Sequence, residues 1–162
     1  MNKEVMQLGR FITALVYAAT GGDSIDQIVL MLLVYLCDWH SCVKYNRRVV
    51  DIQWQVFKHG LADDGLESYL RASPQEFSLD DVKQEVKCLT KPPEVVPDQE
   101  QSVITRVVSI YKEKHHSGLA TFVLSTFPIL SSSAYSLESV DLLQKAQEYA
   151  EIRNSESSES SS

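Results

Sequence analysis

Three side chains of types that commonly bind metals lie close together in the sequence: Cys37, His40 and Cys42. A structural zinc site takes four thiolate or imidazole ligands, usually from two pairs that are each close in sequence. On a helix, Cys37 and His40 share a face because they are three residues apart, whereas Cys42 points in another direction. No Cys-x-x-Cys pair elsewhere completes the set. We therefore interpret these residues as thiols and an imidazole near a helix end, and we predict no metal site and no cofactor.

Other pairs of chemically active side chains have simpler explanations than catalysis. A cysteine beside a histidine would suit nucleophilic attack, but nothing nearby indicates an activated thiolate or an oxyanion hole. His115-His116 could exchange protons, yet basic residues after Lys112 and Lys114 are typical of a helix C-terminus. Asp63-Asp64 follow Gly60 and are typical of a solvated turn. We predict no catalytic residue, and we do not expect an enzyme.

The elements that position these residues follow from the spacing of the apolar side chains. The second helical segment is apolar almost all round, so we expect it to be central and enclosed. Its longest apolar run, 28–37, is about half as long as the roughly twenty residues that a membrane span needs, so no membrane span is predicted. Ser24 and Gln27 could form a capping box before it. The predicted helices cover about 5–19, 25–42, 66–70, 103–111, 119–127 and 136–150.

One stretch changes from the helical period to strand alternation. Val50, Ile52, Trp54 and Val56 alternate with mostly polar residues, and Gly60 ends the stretch. The segment 78–89 fits both a helix and a strand. A strand there could pair with the first strand, which otherwise has no ladder. The two segments together would form a small β-hairpin.

Composition limits the classes of function. The 162 residues carry a formal net charge of −7, and an acidic surface repels phosphate backbones, so nucleic-acid binding is disfavoured. The three cysteines are an odd number, which fits free thiols in a reducing compartment better than a disulfide framework. No signal peptide is recognisable, so we expect a cytoplasmic protein. Only Ser and Glu follow Asn154, which predicts a single domain over 1–153 and a disordered tail over 154–162.

Two parts of the sequence carry motifs of a known family. Tyr-Leu-Cys-Asp-Trp-His at 35–40, followed by Tyr-Asn-Arg-Arg-Val at 45–49, resembles the helix and turn of the Panacea domain. The family pattern is a helix ending in Tyr-Leu-x-Asp, a histidine, a Tyr-Gly turn, and a strand that ends in an aromatic residue and Gly-Pro. Residues 50–60 occupy the place of that strand. Downstream, 103–111, 117–119 and 124–128 resemble the later helix and the closing segment, so the resemblance spans about residues 5–150.

The sequence departs from the family pattern at three positions. Leu61 follows Gly60 where the family has proline, and Phe127 stands near a common histidine position. Asn46 replaces the turn glycine, which asparagine can do because it also enters the left-handed region. The resemblance implies an antitoxin of a toxin–antitoxin pair, associated with phages or mobile elements and not an enzyme. One branch of the family delivers its toxin to an ATP-dependent protease.

We therefore predict a mainly α fold: a compact helical domain around a central apolar helix, with a small β-hairpin. The predicted function is to bind and neutralise a partner protein, a toxin. Delivery of the toxin to a protease is one way in which it could do so. The alternative is a DNA-binding regulator that uses 117–128 as part of a helix-turn-helix. Aromatic residues near the helix–strand junction could pack in the core or anchor a partner. The predicted partner-binding residues are Trp54, Phe57, Lys58, His59 and Gly60.

Overall fold

Six helices and six short strands make up the part of the chain that the computed structural model describes, residues 7–133 and 135–160. In chain order they are α1 (Leu8–Thr20), β1 (Ile25–Asp26), α2 (Gln27–Tyr45), β2 (Gln53–Phe57), β3 (Gly60–Asp64), α3 (Leu66–Arg71), β4 (Phe77–Asp80), β5 (Glu85–Cys88), α4 (Asp98–Leu124), α5 (Phe127–Leu130), β6 (Glu138–Val140) and α6 (Leu142–Ser160).

Helix α2 lies at the centre of the core, as its apolar composition predicted. It packs against α4 and α6, and α1 packs against α4. Leu30, Leu33 and Val34 have no exposed surface. The helix is long and apolar enough to span a membrane, but 67% of the tested stretch is buried inside the fold. That degree of burial is typical of the core helix of a soluble protein.

Both ends of α2 are set by single side chains. Asp26 caps the N-terminus, because its Oδ1 accepts hydrogen bonds from the backbone N–H groups of Ile28 at 2.8 Å and Val29 at 3.1 Å. The predicted cap, Ser24, lies two residues too early, since Ile25 and Asp26 form strand β1. Asn46 ends the helix with a φ of 54°, so the prediction that asparagine takes the left-handed turn position is confirmed.

The predicted fold class is wrong, because the structure is a mixed α/β fold with 57% helix and 15% strand. Instead of one small hairpin it has two three-stranded antiparallel sheets, with strand orders β1-β5-β4 and β3-β2-β6. The alternation at 50–57 correctly predicted β2 and its buried face. The segment 78–89 contains two strands that pair with each other, and it does not pair with β2. The partners of β2 are β3 and β6.

The ends of two helices test the sequence predictions. Helix α4 contains a kink at His115 (φ 58°, ψ −172°) that divides it into two helical segments, so the predicted break near 116 is confirmed. Helix α6 continues to Ser160, past Asn154, where the sequence predicted disorder to begin. The side chains of 151–156 are all exposed, so this part of α6 adds little to the core.

Candidate functional site

The buried carboxylate of Asp38 connects α2 to the turn and strand that follow it. Its Oδ2 accepts hydrogen bonds from Arg48 Nε at 2.9 Å and Trp54 Nε1 at 2.8 Å, and its Oδ1 accepts one from the backbone N–H of Val49 at 3.1 Å. Arg48 also donates to the carbonyl of Ile52 at 2.6 Å. A buried charge is tolerated only when paired and hydrogen-bonded in this way. Asp38 therefore fixes the course of the chain from α2 into β2.

The residues that carry the family resemblance thus have a structural explanation within this chain. Asp38, Arg48 and Trp54 bond to one another, and the Tyr35 ring packs edge-on against Trp54 with ring centroids 5.5 Å apart. Arg47, the other arginine of the turn, forms an ion pair with buried Glu100 at the start of α4. Both arginines are thus paired with acidic groups.

Trp54 cannot be a surface anchor, so this member of the predicted binding site is wrong. Its side chain has no exposed surface and its Nε1 is bonded to Asp38. The alternation that places Phe57 on the opposite face of β2 necessarily turns Trp54 into the core. Trp54 was predicted to bind the partner because it is close to Phe57 in sequence, although the two side chains lie on opposite faces of β2.

The other four predicted binding residues lie together at the tip of the β2–β3 hairpin. Phe57 pairs with Gly60, which leaves Lys58 and His59 as the exposed two-residue turn. The Phe57 ring is half-buried and covers Gly60, since a Cβ atom on that glycine would lie 2.5 Å from Phe57 Cε1. The His59 ring lies edge-on to the Phe57 ring at 6.3 Å. The ring thus packs on its own hairpin tip.

The segment before β6 extends this tip into a larger surface. Ser133 O accepts a hydrogen bond from the backbone N–H of Lys58 at 3.1 Å. The pairing of β2 with β6 ends at Val56 and Glu138, and Leu137 directly precedes the paired residues. Leu137 is 49% exposed and Tyr135 is 98% exposed. We call Phe57, Lys58, His59, Tyr135 and Leu137 the hairpin surface.

The cysteines near the end of α2 are poor candidates for chemistry. Cys37 and Cys42 are buried free thiols. Burial, with a smaller contribution from the charge of Asp38, raises the pKa of Cys37 well above its usual value and raises the pKa of Cys42 to about 12. Such thiols stay protonated at neutral pH and are weak nucleophiles and ligands. Within residues 7–133 and 135–160, no three His, Cys, Asp or Glu side chains converge as a metal site.

The remaining pairs singled out in the sequence have local roles. The predicted solvated turn at Asp63 is wrong, because Asp63 lies in strand β3, where its Oδ1 accepts a hydrogen bond at 2.9 Å from the backbone N–H of Leu66 at the start of α3. His116 Nε2 lies 3.1 Å from the exposed hydroxyl of Tyr111. In the segment proposed for a helix-turn-helix, the exposed side chains at the start, Ser117, Ala120 and Thr121, are uncharged. They offer no cation to a phosphate backbone.

A cavity of about 230 Å³ lies where α2, α4 and α6 meet. Trp39 and His40 of α2, Arg106 of α4, and Tyr149 and Arg153 of α6 line it. Sequence analysis weighed a histidine near the cysteines as a metal ligand or as the partner of a cysteine nucleophile, and it did not predict the cavity. The available signal was the placement of Arg106 and Arg153 on helices beside apolar stripes, but their convergence depends on how three distant helices pack.

The chain matches no protein-family model, no curated protein and no solved structure.

Proposed function

We propose that this protein binds and neutralises a partner protein, as an antitoxin does, through the hairpin surface. What supports the proposal is one observation: Tyr135 is nearly fully exposed and Leu137 is half-exposed in the segment that runs from Ser133, which is hydrogen-bonded to the hairpin tip, into β6. Aromatic side chains dominate the binding energy of protein interfaces, and large apolar groups gain free energy when a partner removes them from water. The resemblance to the Panacea domain agrees with this class of function.

The charge of the chain favours a basic partner. The sequence has 22 acidic and 15 basic residues, and long-range attraction between opposite charges accelerates association. Lys58 and His59 at the tip would contact the partner at the rim of the interface. They would contribute little to affinity, because exposed charges are well solvated. The proposal places the protein in the cytoplasm, where three free thiols remain reduced.

Co-expression with the products of the neighbouring genes tests the proposal. One of these products should inhibit growth when expressed without this chain, and it should co-purify with it. Tyr135→Ala should weaken binding by about 30-fold, the equivalent of losing a hot-spot contact of about 2 kcal/mol, with no loss of fold stability. Val82→Ala is the matched control, because Val82 is 95% exposed in the turn between β4 and β5 of the other sheet. It should leave growth rescue unchanged.

The amount of the toxic product distinguishes direct neutralisation from delivery to a protease. Direct binding leaves its level constant when this chain is co-expressed, whereas delivery lowers it in a protease-dependent way. The proposed function is wrong if no neighbouring product is toxic and none co-purifies with this chain. The hairpin surface is wrong as the site if Tyr135→Ala and Val82→Ala bind the partner equally well.

A further inference from the structure

The cavity between α2, α4 and α6 has one apolar side and one cationic side. On the apolar side, the rings of Trp39 and Tyr149 lie 5.9 Å apart, and the Phe127 ring packs on the far side of Tyr149 at 5.5 Å. Leu36 and Val43 of α2 complete this wall. Apolar and aromatic walls of this kind accept a flat ring, because stacking and burial both favour it.

The cationic side consists of His40, Arg106 and Arg153. No lining residue is a carboxylate, and no ion pair joins either arginine to an acid among the described side chains. The pKa of His40 is lowered by its burial and by the positive charges of Lys44 and Arg106. The positive charge at this cavity therefore comes from Arg106 and Arg153, and in a chain with a net charge of −7 two arginines without an acid form a local site for an anion.

The arginines suit a carboxylate better than a bare inorganic anion. The guanidinium carbon of Arg153 lies 5.5 Å from the centroid of the Tyr149 ring, so its charge stands over the edge of the apolar wall. A guanidinium can bind a carboxylate with two parallel hydrogen bonds. A fully hydrated anion would leave the aromatic wall without a partner, whereas a ring bearing a carboxylate satisfies both sides.

The volume sets the size of the ligand. A cavity of about 150 Å³ holds a benzene ring. The 230 Å³ here therefore has room for one ring and a short acidic substituent. We propose that this cavity binds a small aromatic carboxylate, with its ring against Trp39 and Phe122 and its carboxylate at Arg106 and Arg153. The site is separate from the hairpin surface, so either can fail without the other.

Titration of the full chain with benzoate, followed by NMR, tests this proposal. The sequence has two tryptophans, whose indole N–H signals are assigned with Trp39→Phe. The Trp39 signal should shift with a Kd of about 1 mM or tighter, as expected for a ligand of this size. The Trp54 signal should not move, because that side chain is fully buried and bonded to Asp38. Benzyl alcohol and acetate, which each carry one half of the ligand, should bind at least about tenfold more weakly.

Variants then assign the two sides of the cavity. Arg106→Gln and Arg153→Gln should each raise the Kd for benzoate at least about tenfold, because each removes a charged hydrogen-bond donor. Arg10→Gln, an exposed arginine on α1, is the matched control and should leave the Kd unchanged. Val43→Phe should fill the cavity and abolish the shift. Thermal unfolding of every variant verifies that it is folded.

Three results would overturn the proposal. The first is that the Trp39 signal does not shift with up to 10 mM benzoate, about ten times the expected Kd. The second is equal affinity for benzoate and benzyl alcohol. The third is that Arg10→Gln and Arg106→Gln change the Kd equally.

Discussion

Asp38 shows how one buried charge can fix the connection between two elements. A carboxylate without solvent contact requires partners for both oxygens, and Arg48, Val49 and Trp54 provide them from the segment directly after α2. These partners come from a turn, a loop and a strand. The cost of leaving the charge unpaired therefore acts on all three parts of the chain at once.

Asp38→Ala should lower the free energy of unfolding by about 3 kcal/mol or more, because it leaves Arg48 without its partner and Trp54 Nε1 without an acceptor in the core. Asp38→Asn should cost less, since one amide oxygen can still accept a hydrogen bond. Urea denaturation measures both. The control is Asp23→Ala, an exposed position that should change stability by no more than about 0.5 kcal/mol. Equal midpoints for Asp38→Ala and Asp23→Ala would contradict the proposed role of Asp38.

Sequence analysis found the position of Asp38 but not its role. The residue belongs to the segment that resembles the Panacea helix, and its partners follow within 16 residues, so the signal was local. Cys37, His40 and Cys42 were instead considered as metal ligands, because cysteine and histidine are the usual ligands of zinc. An apolar helix can carry several polar residues, and the path of the chain after the helix decides which of them is hydrogen-bonded inside the core. The spacing of residues in the sequence does not predict that path.

At the scale of elements, α4 has a kink at the position where the sequence predicts one helix to end and another to begin. The predicted helices cover about 103–111 and 119–127, and His115, between them, has non-helical dihedral angles. The sequence signals for a break were therefore correct in position. They mark a kink between two helical segments of α4.

His115→Gly should raise the free energy of unfolding by about 1 kcal/mol. The φ of 58° and ψ of −172° lie in a region that is open almost only to glycine and costs other residues about 1–3 kcal/mol, which exceeds the entropic cost of glycine. His116→Gly is the control, because it places glycine at a helical position and should cost about 1 kcal/mol. Thermal and urea unfolding would show the opposite signs. Equal destabilisation by both changes would mean that α4 is regular at His115.

For the whole molecule, composition and periodicity predicted the helices well and the fold class poorly. Helix α2 and the buried face of β2 follow from long periodic patterns, which sequence reasoning detects most reliably. The strands β1, β4, β5 and β6 have two to four residues, too few for an alternation to be recognised. The cavity and the hairpin surface each combine segments that are distant in sequence, so neither could be derived before the helices and strands were placed.

Removing residues 154–162 should leave the melting temperature within about 2 °C of the full chain, the shift that a change of about 0.5 kcal/mol produces in a domain of this size. The exposed side chains at 154–156 bury nothing, and Arg153 is retained. A chain that also lacks 147–153 should melt much lower, because it loses the contact of Tyr149 with Trp39. Equal losses in both truncated chains would show that the tail packs on the domain.

The pairing of β2 with β6 has a consequence for the nascent chain. Trp54 pairs with Val140, so β2 keeps one open edge until 86 more residues have been synthesised. At about 5–20 residues per second, translation of that length takes roughly 4–17 s. During this interval the hairpin of β2 and β3 presents unpaired backbone groups that another nascent chain could pair with. The sheet is therefore completed late in translation. Several copies of the chain emerge close together on a polysome, so misassembly through the open edge of β2 is most expected there.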